Sequence, residues 1–168
     1  LIRNLNKMTA IGLISPLSDA EKYVRARLED TESLCKAKLH PFRVLIASKQ
    51  YAAGRGDKGS LTWTPNQNVC QALDAAFYGS FASVVPTNKN ILVAVDGSGS
   101  MQQGQVAGMT NMTPMEAAAA FALVTVATEP NTHLIRFTAA GAVKPLPITS
   151  QMRLDQALAV VRSLAQPA

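Results

Sequence analysis

Apolar and polar positions along this chain follow two different periods, and the change falls near residue 90. Before it the repeat is helical. Leu1, Leu5, Met8 and Ile11 stand three or four apart and predict a core-packing helix from Leu1 to about Gly12. Ser15-Pro16 breaks it. Ser18-Asp-Ala-Glu21 has the S-x-x-E form of a capping box and predicts a second helix to about Glu29, with a further helical turn over Glu32–Lys38. His40 stands where a cap should be and Pro41 opens the next helix, since a first-turn residue needs no N–H. That helix runs to about Ala53, with Phe42, Leu45 and Ile46 as its apolar face and Gly54 as a left-handed end. Ser60–Thr64 reads as extended, with Trp63 packed under the adjoining loop. Thr64-Pro-Asn-Gln67 reads as another capping box, opening a helix to about Ser83 with Val69, Leu73, Phe77 and Phe81 as one stripe.

After a linker over Pro86–Asn90 the pattern alternates between strands and helices. Ile91–Val95 predicts a buried strand, and Gln102–Met112 a polar, methionine-containing loop. Thr113-Pro-Met-Glu116 caps an alanine-rich helix to about Ala127 that should be covered on nearly all sides. Glu129-Pro130-Asn131 turns the chain into a strand, Thr132–Phe137. Ala142–Leu146 predicts an edge strand, because Pro145 cannot serve a central ladder. Met152–Leu164 predicts a closing helix with Leu154, Leu158, Val161 and Leu164 in register. The order strand, helix, strand, strand, helix predicts an α/β layer with a mainly parallel sheet.

Charge sharpens the division. Residues 1–90 hold 12 Lys/Arg and 7 Asp/Glu, whereas residues 91–168 hold four of each, so the net +5 belongs to the first part. A basic surface of this kind suits a polyanion, and the alternative is a plain solvated face. Lys36, Lys38, Arg43, Lys49, Arg55 and Lys58 gather around one predicted helix and its following loop, which makes them the candidate phosphate contacts. Trp63 could serve instead as a base-stacking platform. Apolar content of 48% with 16% charged residues suits a globular core. No apolar run is long enough for a membrane helix, and Cys35 and Cys70 form no CxxC pair, which leads us to expect reduced thiols in a cytoplasmic protein. Arg55-Gly-Asp57 is too short a match to carry an adhesion reading. Both ends of the sequence read as cut from a longer chain.

The chemistry concentrates at Asp96-Gly-Ser-Gly-Ser100, directly after the first strand. On such a turn Asp96, Ser98 and Ser100 can face one point, offering one carboxylate and two hydroxyls. Hard oxygens with little protein charge suit a divalent cation, best Mg²⁺, which keeps waters and accepts an outside ligand. Gly97 and Gly99 are expected to supply unusual backbone angles. An aspartic-protease reading would need Asp-Thr/Ser-Gly, a phosphoaspartyl hydrolase a second Asp where Ser98 stands, and a phosphate loop a nearby Lys. The pattern instead meets the Asp-x-Ser-x-Ser requirement of a metal-ion-dependent adhesion site of the von Willebrand factor A type. A metal-free Gly/Ser turn is the bland alternative. No Ser/His/Asp order or carboxylate pair supports catalysis; His40 reads as a cap and His133 as a strand residue.

Leu1-Ile-Arg-Asn-Leu-Asn-Lys-Met-Thr9, Lys38-Leu-His-Pro-Phe42, Leu73-Asp-Ala-Ala-Phe-Tyr78, Pro86-Thr-Asn-Lys89 and Val93-Ala-Val-Asp-Gly-Ser-Gly-Ser-Met101 occur in this order. Together they resemble the TROVE family, which includes the Ro autoantigen and its bacterial relatives. The resemblance covers nearly the whole chain. It implies that residues 1–87 are the last part of a HEAT-like helical-repeat domain and that 88–168 begin an incomplete α/β von Willebrand factor A domain. It implies a noncoding-RNA-binding scaffold for Y RNAs and misfolded small RNAs, acting in RNA quality control and not as an enzyme. For the metal it carries over Asp96, Ser98 and Ser100; a Thr and an Asp expected from later loops would lie beyond Ala168. The competing reading is a metal-dependent protein-interaction module without RNA function.

Overall fold

A computed structural model of the chain describes residues 1–56, 60–107, 109, 111–138, 141 and 143–163. They fall into two units, Leu1–Val84 and Val85–Ala168.

The first unit is helical. A 3₁₀ turn, Ile2–Asn4, runs into α1 (Leu5–Ala10), followed by α2 (Asp19–Glu29), α3 (Thr31–Lys36), α4 (Pro41–Ala52) and α5 (Gln67–Gly79). The first helix is shorter than its periodicity predicts, and of the four expected core residues only Leu5 is buried. Met8 is half-buried, while Leu1 and Ile11 are exposed, because the chain leaves the helix at Gly12 (φ +78°) and buries Ile14 instead.

Helix α5 packs against α2 and α4 and carries the core. Val69, Leu73 and Phe77 are buried as the stripe predicts, together with Ala72 and Ala76 beside them. Phe81 is only half-buried, since it sits beyond the helix in a 3₁₀ turn, Ser80–Ser83. On α4 the buried residues are Pro41, Val44, Leu45 and Tyr51, whereas Phe42 and Ile46 are half-buried. The covered face is therefore rotated from the expected one by the way α5 lies against it.

Side chains cap the helices much as their sequences require. Ser18 Oγ accepts the Glu21 N–H at 3.1 Å, Asp30 Oδ1 that of Ser33 at 3.1 Å, and His40 Nδ1 that of Phe42 at 3.3 Å. The α5 cap departs from expectation. Its N-cap is Asn66, whose side-chain oxygen accepts the Asn68 N–H at 2.9 Å, and Thr64 lies outside the helix. Asn is as good a cap as Thr, and the chain must stay extended through Pro65 to bring Trp63 back under α4.

That return is tightly held. Gly54 adopts φ +69°, its carbonyl accepts the Trp63 N–H at 2.9 Å, and Arg55 bridges Thr62. Trp63 is 8% exposed and donates Nε1–H to the Tyr51 carbonyl at 2.9 Å. It packs under the loop and offers no open stacking platform.

The second unit is a three-stranded sheet with two helices. β1 (Ile91–Asp96) pairs in parallel with β2 (Thr132–Phe137), from Ile91↔Thr132 to Asp96↔Phe137. β3, only Lys144–Pro145, joins β2 antiparallel at the edge that Pro145 predicts. Helix α6 (Pro114–Thr128) packs on β1 and β2, and α7 (Leu154–Ser163) packs on α6. The Thr113–Glu116 box is complete: each side chain accepts the other residue's N–H.

Two burial expectations fail here for one reason. β1 is not buried on both faces: Val93 and Val95 are covered, but Leu92 (64% exposed) and Ala94 share the other face with His133 and Phe137, also exposed. Likewise α6 exposes Phe121 (54%) despite its all-round apolar sequence. Among the described residues α6 covers one sheet face only, so an apolar side chain is buried only where something faces it. On α7, Ala157 and Val161 are buried and Leu154 and Leu158 half-buried; Leu164 lies outside the described residues.

Candidate metal centre and cationic surface

The Asp96 turn leaves the sheet at the carboxyl end of β1, where α/β sheets place their ligands. The last ladder contact holds it there: Gly97 donates its N–H to the Phe137 carbonyl at 2.8 Å. Asp96 Oδ1 then accepts the Ser98 N–H at 2.8 Å and the Ser98 hydroxyl at 2.5 Å. This is an Asx turn closed by its own hydroxyl. It brings Asp96 and Ser98 together as the spacing predicts. Ser100 follows, exposed, in a 3₁₀ turn spanning Gly99–Gln102.

Gly97 and Gly99, expected to supply unusual backbone angles, both keep a φ outside the left-handed region. Ser98 is extended (φ −64°, ψ 147°) and the chain then coils right-handed, so the reversal needs no positive φ. An added Cβ at Gly97 would lie 3.5 Å from the Phe137 carbonyl oxygen and 3.9 Å from Arg136 Nη1, ordinary contact distances, so the space here does not demand glycine either. Arg136, which carries no signal in its own stretch of sequence, pairs with Val95 across the ladder and brings a guanidinium beside the turn.

The donor set fits a hard cation. Its two hydroxyls and one carboxylate are all oxygen, and the Ser98 hydroxyl keeps an acceptor lone pair while donating to Asp96. Among the described residues no cluster of three His, Cys, Asp or Glu side chains is present, so any ion here relies on hydroxyls and outside ligands.

The basic candidates separate into two places. Lys36 and Lys38 lie at the end of α3 and Arg43 in the first turn of α4, all exposed. Lys36 Nζ is already paired with Glu32 at 2.7 Å. Lys49, half-buried in the last turn of α4, and Arg55, exposed just past it, stand at the opposite helix end from Arg43. At ~1.5 Å rise per residue, Arg43 and Arg55 are separated by more than a dozen ångströms and do not form one patch. Lys58 lies outside the described residues.

Two buried carboxylates organise the fold in ways their sequence positions barely announce. Glu21 is 1% exposed and accepts the Leu17 N–H and the side-chain amides of Asn68 (2.7 Å) and Asn66 (3.3 Å). Burial pushes its pKa up, but these hydrogen bonds and the Arg25 charge together hold it below the ordinary carboxylate range. Glu129 accepts the Thr87 N–H with both oxygens (2.8 and 3.0 Å), the Asn88 N–H at 3.2 Å and the Thr87 hydroxyl at 3.2 Å. Only the S-x-x-E form hints at Glu21; Glu129 carries no local signal. Cys35 and Cys70 are free and half-buried, and burial pushes the Cys70 thiol up.

No helix among the described residues is long and apolar enough to cross a membrane. Residues 1–89 match the sequence model of the TROVE domain, and residues 90–167 match that of the Ro60 vWA domain. Two relatives, each described as RNA-binding protein RO60, come from Caenorhabditis elegans and Deinococcus radiodurans. The first is 37% identical over 98% of this chain and 25% of its own length, the second 38% over 98% and 31%. The crystal structure of the Deinococcus radiodurans RO (RSR) protein superimposes with a TM-score of 0.89 at 37% identity, over 96% of this chain and 32% of that one. This chain thus spans about a quarter to a third of the relatives it matches. A TROVE sequence model across more than half of it, joined to a Ro60-type vWA model over nearly all the rest, shows that the chain belongs to the TROVE family.

Proposed function

We propose that this chain binds small noncoding RNA, of the Y RNA and misfolded small RNA kind, as part of a cytoplasmic RNA quality-control scaffold. The observation that carries this reading is the confinement of the excess positive charge to residues 1–90, the part that matches the TROVE domain. Two relatives bearing the words RNA-binding protein support it. The role is recognition and not turnover. To test it, binding of the full chain to a structured RNA with a single-stranded 3′ tail is measured across a salt series. Affinity should fall linearly in log–log form as phosphate contacts release counterions. An absence of binding, or binding indifferent to salt, defeats the proposal.

A second activity is favoured by the geometry at Asp96. We propose that Asp96, Ser98 and Ser100 hold a divalent cation, best Mg²⁺, with a carboxylate from a protein partner completing its shell. The ion would supply a positive centre for that carboxylate, while Asp96 and Ser98, already linked, would fix its place. Asp96→Ala should abolish Mg²⁺-dependent capture of a carboxylate-bearing partner. Capture that survives both the substitution and a chelator removes the metal from the account.

A further inference from the structure

The basic character of the first unit is not spread over its surface. Residues 1–18 and 33–56 contain no Asp or Glu, yet they hold Arg3, Lys7, Lys36, Lys38, Arg43, Lys49 and Arg55. On α2 and α3 the cations are matched: Lys22 to Asp19, Arg25 to Glu21 and Glu29, Arg27 to Asp30, and Lys36 to Glu32. Such neutralised pairs have little left to offer a phosphate. By contrast Arg3, Lys38 and Arg43 are exposed and make no ion pair with any described acid.

The fold brings the two acid-free stretches together. The 3₁₀ turn carrying Arg3 packs on α4, and a cleft of about 300 Å³ opens between them. Arg3 and Arg43 line it, with Asn6 and Gln50 as polar neighbours. Its apolar wall is Ile2, Leu39, Ile46 and Ala47, all half-buried. Lys38, adjoining Leu39 in the chain, takes φ +48° at the end of α3.

We propose that this cleft takes one unstacked nucleotide of a single-stranded RNA segment. Arg3 and Arg43 hold the phosphates on either side, and the base lies against Leu39 and Ile46. Two guanidiniums paired with no described acid are what a sugar–phosphate backbone requires, since each can grip phosphate oxygens in a fork. An apolar wall with side-chain amides beside it suits a base that has left its stack. A duplex would fit badly, because its bases are paired and its backbone cannot enter a cleft of this size. The proposal rests on the RNA-binding reading, assigns one nucleotide to this cleft, and adds Arg3, which stands apart from the other cationic candidates in the sequence.

The test uses the full chain and fluorescein-labelled 12-nucleotide oligouridylate, with a blunt hairpin RNA and an abasic oligomer of equal length as comparisons. Wild type should prefer the oligouridylate to both. Arg3→Ala with Arg43→Ala should weaken oligouridylate binding and lower the slope of log affinity against log salt by about 0.7 for each phosphate that is no longer neutralised. Arg27→Ala, which removes a paired cation of the same charge, should leave that slope unchanged. Ile46→Ala should narrow the gap between oligouridylate and abasic oligomer. If wild type binds none of these RNAs, the RNA-binding reading itself falls. If it binds, but the double variant retains the wild-type slope or the abasic oligomer binds equally well, the cleft assignment is wrong and the broader reading stands. Circular dichroism of each variant guards against loss of fold, and Arg3→Lys with Arg43→Lys should keep much of the salt slope.

Discussion

Glu21 shows how one side chain can be mistaken for a local feature. Its position three after Ser18 suggests a self-contained cap, and its own N–H does bond to Ser18. Its carboxylate serves a different end, joining the start of α2 to Asn66 and Asn68 at the start of α5. Because the folded carboxyl titrates below its ordinary range, the fold favours the charged form. That stability is fully present above the ordinary carboxylate pKa and is lost as pH falls through the lowered folded value. Asp30 behaves likewise, held down first by the Ser33 hydroxyl and then by the Ser33 N–H. Glu21→Gln should lower Tm at neutral pH and flatten the fall of stability below about pH 5, as followed by thermal melts across an acid series. An unaltered acid limb would show that the network does not stabilise the charged form. Gly54 makes a second residue-scale case. An added Cβ would meet the Trp63 carbonyl oxygen at 2.8 Å in a backbone already at φ +69°. Gly54→Ala should therefore cost more than ~1 kcal/mol, read from urea midpoints at constant m-value.

Elements were legible where a single chain segment carries the whole cause. The Thr113–Glu116 box, the His40 cap, the Gly54 reversal and the edge position of Pro145 all came out as their local chemistry demands. The errors fall where a distant partner decides. Thr64 and Asn66 are both good caps, and the extended return of Trp63 selects between them. Leu1, Ile11, Leu92 and Phe121 have the right period and remain exposed, because period alone does not decide which side of an element the rest of the fold covers. The approach to β1 is another such case. Pro86–Asn90 reads as a plain linker, yet Glu129, at the far end of α6, grips the Thr87 and Asn88 amides. Glu129→Ala should speed hydrogen exchange at those two amides well beyond the change at Val93 and Val95 in the strand. Equal exchange before and after substitution would mean that the clamp contributes nothing to holding this segment.

At the scale of the whole molecule the two units differ in charge, architecture and expected work. Residues 1–90 hold all the excess positive charge, while the helix-and-sheet part that follows is balanced. If each unit is held by its own core, damage to one should stay there. Thr113→Ala removes half of a complete cap and should cost ~1 kcal/mol. Amide exchange should register that loss across residues 85–163 and leave the α2 and α5 amides of the first unit unchanged. Propagation into α5 would show the two cores to be coupled.

The change of architecture, the closed turn at Asp96 and Ser98 and the family were legible in the amino-acid order, because each rests on residues close in sequence: a change of period, an Asp-x-Ser spacing, a run of short motifs. Local spacing already pairs Lys36 with Glu32, four residues earlier on the same helix, whereas no described acid pairs with Arg43. Tertiary structure decided which of the unpaired cations lie together. Arg3 and Arg43 are 40 residues apart, and only the packing of the opening turn on α4 places both in one cleft. Charge in a sequence is a sum, and its use depends on which opposite charges the fold sets beside it.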